Sequence, residues 1–158
     1  FGGIRNVFSY KKWTLDTFAH FSIGNTMFNG SVAESYYARG AYLNLLPELK
    51  DRWTEENYMS DIPRAGTAFG TYVTTNETSF QDGSFFRLKN VTLTYDLDNP
   101  PFVRDASIYL SAQNLLLISD YKWGDPEVSQ YGNQLNRGVS DSSYPYSSSV
   151  SLGLNIKF

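Results

Sequence analysis

The closing stretch of this chain constrains its fold more than any other feature. Tyr146, Val150, Leu152, Leu154, Ile156 and Phe158 stand against Ser147, Ser149, Ser151, Gly153, Asn155 and Lys157. Successive side chains of a β-strand point to opposite faces, so this period of two makes a strand with one apolar and one polar face, and it fits no helix. A strand that is greasy on one side only must bury that side, either against a second sheet or in lipid.

The same pattern recurs four times upstream and predicts strands over 3–11, 13–24, 84–97 and 105–118, with the last over 146–158. In the second of these, Trp13, Leu15, Thr17, Ala19, Phe21 and Ile23 share one parity, against Thr14, Asp16, His20, Ser22 and Gly24, and Phe18 intrudes on the polar side. The first strand groups Ile4, Phe8 and Tyr10 with Asn6, while Val7 falls among its polar residues. In the third, Val91, Leu93, Tyr95 and Leu97 oppose Asn90, Thr92, Thr94 and Asp96. Its first half breaks parity, because Arg87 and Lys89 would point with the apolar residues. Either a β-bulge shifts the phase near Asn90 or that end projects beyond the apolar environment. The fourth puts Ile108, Leu110, Ala112, Leu116 and Ile118 on one side, and Leu115 and Leu117 make its far end apolar on both.

Composition excludes several functions. With 158 residues, 41% of them hydrophobic, the chain has material for a core, but no apolar run approaches the roughly 18 to 20 residues of a membrane-spanning helix. The net charge of -3 offers no basic field for nucleic acid, which is excluded as a partner. The absence of cysteine removes disulfides, thiolate chemistry and Cys-ligated zinc. A chain that opens on Phe1 rather than Met is expected to be a processed product or part of something longer.

The connections alternate in size. Lys11–Lys12 is a tight turn and 98–104 is short, ended by Pro100 and Pro101, whereas 25–80 and 119–145 are long. Short turns at one end and long loops at the other match outer-membrane barrels, and strands of about 9 to 13 residues suit a tilted crossing of a bilayer. The first long loop carries a capping box, Ser31 to Glu34, that predicts a short helix or two. Its Tyr36, Tyr37, Tyr42, Leu45, Leu46, Leu49 and Trp53 give it the apolar mass of a folded loop. Five strands cannot close a barrel, for which about eight are needed, and an open edge in lipid leaves amides unpaired. The missing strands come either from elsewhere in the same polypeptide or from further copies.

Several runs also resemble a known family. DGSFFRLKNVTLTYDL at 82–97, SIYLSAQNLLLISDYKWGDPEVS at 107–129 and the ending SYPYSSSVSLGLNIKF resemble the carboxy-terminal region of SusC-like (SusC/RagA) TonB-dependent outer-membrane transporters. RWTEENYMSDIPRAG at 52–66 resembles a loop signature of that family, and residues 1–25 resemble its preceding hairpin. The resemblance implies an all-β fold: the last five or so antiparallel strands of a transmembrane barrel of about 22, with long extracellular loops and the carboxy-terminus on the periplasmic side. It implies that the plug domain and the TonB-contacting segment lie outside this chain. It further implies import of oligosaccharides or peptides, with a SusD-like surface lipoprotein as lid and the TonB complex as energy source. In outer-membrane barrels a terminal aromatic, here Phe158, serves as the signal for the assembly machinery.

No residue cluster argues for catalysis, a metal or a cofactor. His20 is the one histidine, and with Asp16 it shares the polar side of its strand, which is far short of a metal set or a catalytic triad. Glu55 and Glu56, and Asp125 and Glu127 around Pro126, read as solvated loop carboxylates. Trp53, Tyr58, Trp123, Tyr131 and Tyr144 lie in the long loops, with Tyr146 beside them. They either contact substrate or lid, since rigid aromatics anchor binding patches, or pack loop on loop and form the girdle where strands leave the lipid. A soluble β-sandwich that binds carbohydrate or mediates adhesion would satisfy the same alternation by pairing two sheets.

Overall fold

The computed structural model describes residues 1–30, 47–62, 64, 79–98, 103–127, 138–140 and 144–157. The chain divides into two compact units. The first comprises Phe1–Asn25, Gly83–Asp120 and Pro145–Phe158, and the second Thr26–Asp82 and Tyr121–Tyr144. The two long insertions thus belong to one folded body.

The first unit is a five-stranded antiparallel sheet. In chain order its strands are β1 (Gly2–Tyr10), β2 (Trp13–Ser22), β5 (Phe85–Asp96), β6 (Asp105–Ser119) and β8 (Ser149–Lys157), and neighbours in sequence are neighbours in the sheet. Lys11, at φ 55°, lets the chain reverse between β1 and β2 in two residues. Register sorts the side chains. Ile4 faces Ala19, Phe8 faces Leu15, and Leu15, Leu93, Leu110 and Leu152 form one row across four strands. The other side carries Ser9, Thr14, Asp16, Thr92, Thr94, Ser111, Ser151 and Asn155.

The apolar face is open. Leu152 is 75% exposed, Val150 66% and Phe8 62%, the reverse of what a sandwich half needs. A contiguous apolar surface of this extent on one side of a sheet marks contact with something other than water.

The broken parity of β5 resolves as a bulge. Phe18 pairs with Asn90 and Ala19 with Leu88, so Lys89 is an extra residue against β2. The slip returns Phe86 and Leu88 to the apolar face and turns Arg87 to the polar one, opposite His20. On the other side Leu88 pairs with Leu116 and Asn90 with Gln113, leaving Asn114 and Leu115 against Lys89. Asn114 takes φ 51°, a conformation asparagine tolerates, and is tied to the entry of β8. Its Nδ2 donates to the Ser147 carbonyl at 3.1 Å, and its own carbonyl accepts from Ser148 Oγ at 2.6 Å. The intrusive Phe18 also has a reason: its ring covers Gly3 on the polar face, and a Cβ there would meet it at 3.0 Å.

The second unit contains a small sheet that sequence patterning did not predict. Its central strand β3 (Thr26–Asn29) runs antiparallel to β4 (Phe80–Asp82) and parallel to β7 (Val139–Ser140). Strands of four, three and two residues are too short to display a period. Met27 and Asn29 of β3 are buried, Asn29 Nδ2 donates to Tyr121 Oη at 2.8 Å, and Phe28 meets Phe80 with ring centroids 5.4 Å apart. Pro47–Asp51 forms a single 3₁₀ turn. The capping box at Ser31 to Glu34 lies outside the described residues.

Candidate functional site

Among the described residues, two surfaces hold most of the polar side-chain contacts. The first is the polar face of the five-stranded sheet, built from hydroxyl and amide side chains that neighbouring strands bring into pairs. Thr92 Oγ1 and Ser111 Oγ lie 3.1 Å apart, and Ser9 Oγ and Thr14 Oγ1 lie 3.2 Å apart. Arg5 reaches across the β1–β2 hairpin to Asp16 with two hydrogen bonds, Nε to Oδ1 at 3.1 Å and Nη2 to Oδ2 at 2.6 Å, a bidentate pair. Asp16 is therefore engaged by Arg5, and His20, four residues on, instead sets its ring edge-on to Phe85 at 5.4 Å. Arg87, opposite His20, is 2% exposed with its guanidinium over the Tyr146 ring at 5.6 Å. The parity failure at Arg87 and Lys89 left a bulge or a projecting end open, and the bulge is what turns this buried arginine to the polar face.

The second surface is the loop body. In the stretch that resembles the family's loop signature, polar side chains bond the loop's own backbone. Trp53 N donates to the Ile62 carbonyl at 2.8 Å and closes the loop. Asn57 Nδ2 and Ser60 Oγ both donate to the Asp51 carbonyl, at 2.9 and 2.5 Å, and Arg52 Nε donates to the Leu49 carbonyl at 2.8 Å. This is a compact, self-braced surface loop. Trp53, Ser60, Asp61, Ile62 and Arg64 line an open pocket in it, and Tyr58 and Met59 stand out at 70% and 79% exposure. An aromatic wall beside a carboxylate, a guanidinium and a hydroxyl can hold a polar ligand with a flat apolar face.

The other aromatics separate. Trp123 is half-buried and Tyr144 is exposed, both in the loop body. Tyr146 belongs to the sheet unit, where Arg87 holds it. Tyr131 and Phe158 lie outside the described residues. Glu55 and Glu56 are exposed, in keeping with solvated carboxylates. Asp125 corrects that reading for its own pair: it is 1% exposed, and its Oδ1 accepts from Glu127 N at 3.0 Å. It is an internal turn-former, because an aspartate before proline can cap its own backbone two residues on. Among the described residues, no three His, Asp or Glu side chains gather as a metal set.

Comparison with known proteins gives this geometry a context. No family model matches the chain. Three TonB-dependent receptors of Formosa agariphila, P26, P3 and P39, are 37%, 30% and 23% identical to it, each over 99% of its length. A solved structure of the RagAB peptide importer in an open-open state superposes with a TM-score of 0.76 at 29% identity over 99% of the chain. A second RagAB structure gives 0.71 at 30% identity over 95%. The chain spans only 16% of the length of each receptor and 17% of the first RagAB chain. In sequence and in fold the chain is thus similar to part of the barrel of TonB-dependent receptors, and an exposed apolar face backed by a polar one fits that likeness.

Proposed function

We propose that this segment forms the closing part of the barrel wall of an importer for oligosaccharides or peptides. Its apolar face lies in lipid and its polar face turns to the lumen. The loops 25–80 and 119–145 stand on the outer side, where a SusD-like surface lipoprotein acts as lid, and the carboxy-terminus lies on the periplasmic side. Plug and TonB contact belong to other parts of the same transporter, and the segment itself is not an enzyme. The observation that carries the reading is the sheet with one lipid-compatible face and with β1 and β8 as edges unpaired among the described residues, in a chain homologous to receptors. Those edges call for further strands, since unpaired amides in hydrocarbon cost several kcal/mol each.

Trp53, Tyr58, Trp123, Tyr131 and Tyr144 are the proposed contacts to substrate or lid, with the Trp53 pocket foremost because its rim is preorganised. Calorimetry of the full-length transporter with its lipoprotein, against a peptide pool and an oligosaccharide pool, tests this. Binding of one pool, weakened about tenfold by Trp53→Ala, is expected from the loss of one stacked ring. Binding of neither pool would count against the import reading. Phe158 is the proposed assembly signal. Its deletion should slow insertion of the full-length barrel in a pulse-chase assay, and unchanged insertion would refute that role.

A further inference from the structure

The short-turn end of the sheet carries a row of aromatic rings next to a basic turn. Tyr10 faces Trp13 and Trp13 faces Tyr95 in one register row on the apolar face. The Trp13 and Tyr95 centroids lie 4.6 Å apart, and Tyr10 is 72% exposed. The row continues into Ile108 and Leu154, so its rings border the apolar band directly. Between Tyr10 and Trp13 the chain turns through Lys11 and Lys12. Lys12 is paired with Asp98, while the left-handed turn at Lys11 brings its Nζ over the Tyr10 ring, 5.4 Å from the centroid. The Lys11 ammonium thus sits at the apolar side of the turn.

Aromatic rings with polar tips settle at the depth where hydrocarbon gives way to headgroups, and a lysine just beyond them extends its charge to the phosphate layer. We propose that Lys11, with the Tyr10–Trp13–Tyr95 row, forms a site for the phosphate headgroup of a glycerophospholipid, with preference for an acidic one such as phosphatidylglycerol. The ammonium pairs with the phosphate, the ring hydroxyl and indole N–H groups supply donors, and the ring faces meet the first acyl methylenes. A zwitterionic lipid carries its own ammonium and competes less well for Lys11. The inference rests on the short turns facing the phospholipid leaflet, as the import reading has them.

Native mass spectrometry of the full-length transporter in mild detergent, titrated with phosphatidylglycerol or phosphatidylethanolamine, tests the site. Wild type should favour phosphatidylglycerol. Lys11→Glu should bind it about fivefold more weakly, the contribution of one basic residue at an anionic surface. Lys11→Arg should keep the affinity, and Lys122→Glu, an exposed position in the loop body, should not change it. Equal binding of phosphatidylglycerol by wild type and Lys11→Glu, or equal affinity of wild type for the two lipids, overturns the site. Arg104→Cys, exposed at the neighbouring short turn, separates this from a failure of the import reading. Reaction with an impermeant maleimide only after the outer membrane is opened supports the orientation, and reaction in intact cells overturns orientation and site together.

Discussion

At Gly153 the sheet has no room for a side chain. It faces Tyr109 on the polar side, and a methyl group there would collide with the far end of the Tyr109 ring. The ring covers the gap a glycine leaves in a strand, as Phe18 does over Gly3. Gly153→Ala should therefore destabilise the full-length barrel by about 1 kcal/mol, since displacing a packed ring costs more than the lost glycine entropy returns. In a Tyr109→Ala background the same change should stabilise instead. Urea unfolding of the four proteins checks this, and additivity of the two substitutions would refute the contact. Arg87 teaches the complementary lesson. Its neighbours in sequence place it in lipid, and only the slip at Lys89 sends it to the polar face beside Tyr146.

Strands β5 and β6 store that slip as paired irregularities: Lys89 on one side, Asn114 and Leu115 on the other. Removing all three residues would leave Leu88 and Leu116 on the apolar face and Arg87 and Leu117 on the polar face, because the slip and its counterpart cancel. The combined deletion of Lys89, Asn114 and Leu115 should still yield an inserted barrel. Deleting Thr94 alone should not, since with a period of two it turns Leu93 and Val91 to the lumen and Thr92 and Asn90 to lipid. Heat-modifiable migration of folded barrel on gels reads both outcomes, and equal insertion of the two variants would show that register does not control this wall. The strands themselves were legible wherever alternation ran unbroken, as in β8 and the second half of β5. The exchange of phase in β5 was legible only as one of two alternatives, a bulge or a projecting end, because a bulge changes which residue faces lipid without changing any residue. The sheet of β3, β4 and β7 was illegible for another reason: strands of two to four residues show no period, and the parallel pairing of β3 with β7 joins residues more than a hundred positions apart.

For the whole molecule, the import reading rests on the exposed apolar face and on β1 and β8, which have no further strand beside them among the described residues. Expressed alone, the segment should aggregate in buffer and stay dispersed only in detergent, as light scattering and gel filtration would register. A soluble monomer would show the apolar face buried within the chain and would remove the lipid reading. The sequence by itself determined which residues can share a face, because alternation is a local property of extended backbone and survives without any neighbour. It also determined where the long connections fall and which family's motifs the chain carries. Only the tertiary structure decided the phase of β5, the burial of Arg87 and Asp125, and the union of two distant loops into one body. Each of these depends on what stands beside a residue across the sheet or the loop fold, and no stretch of sequence holds that information locally.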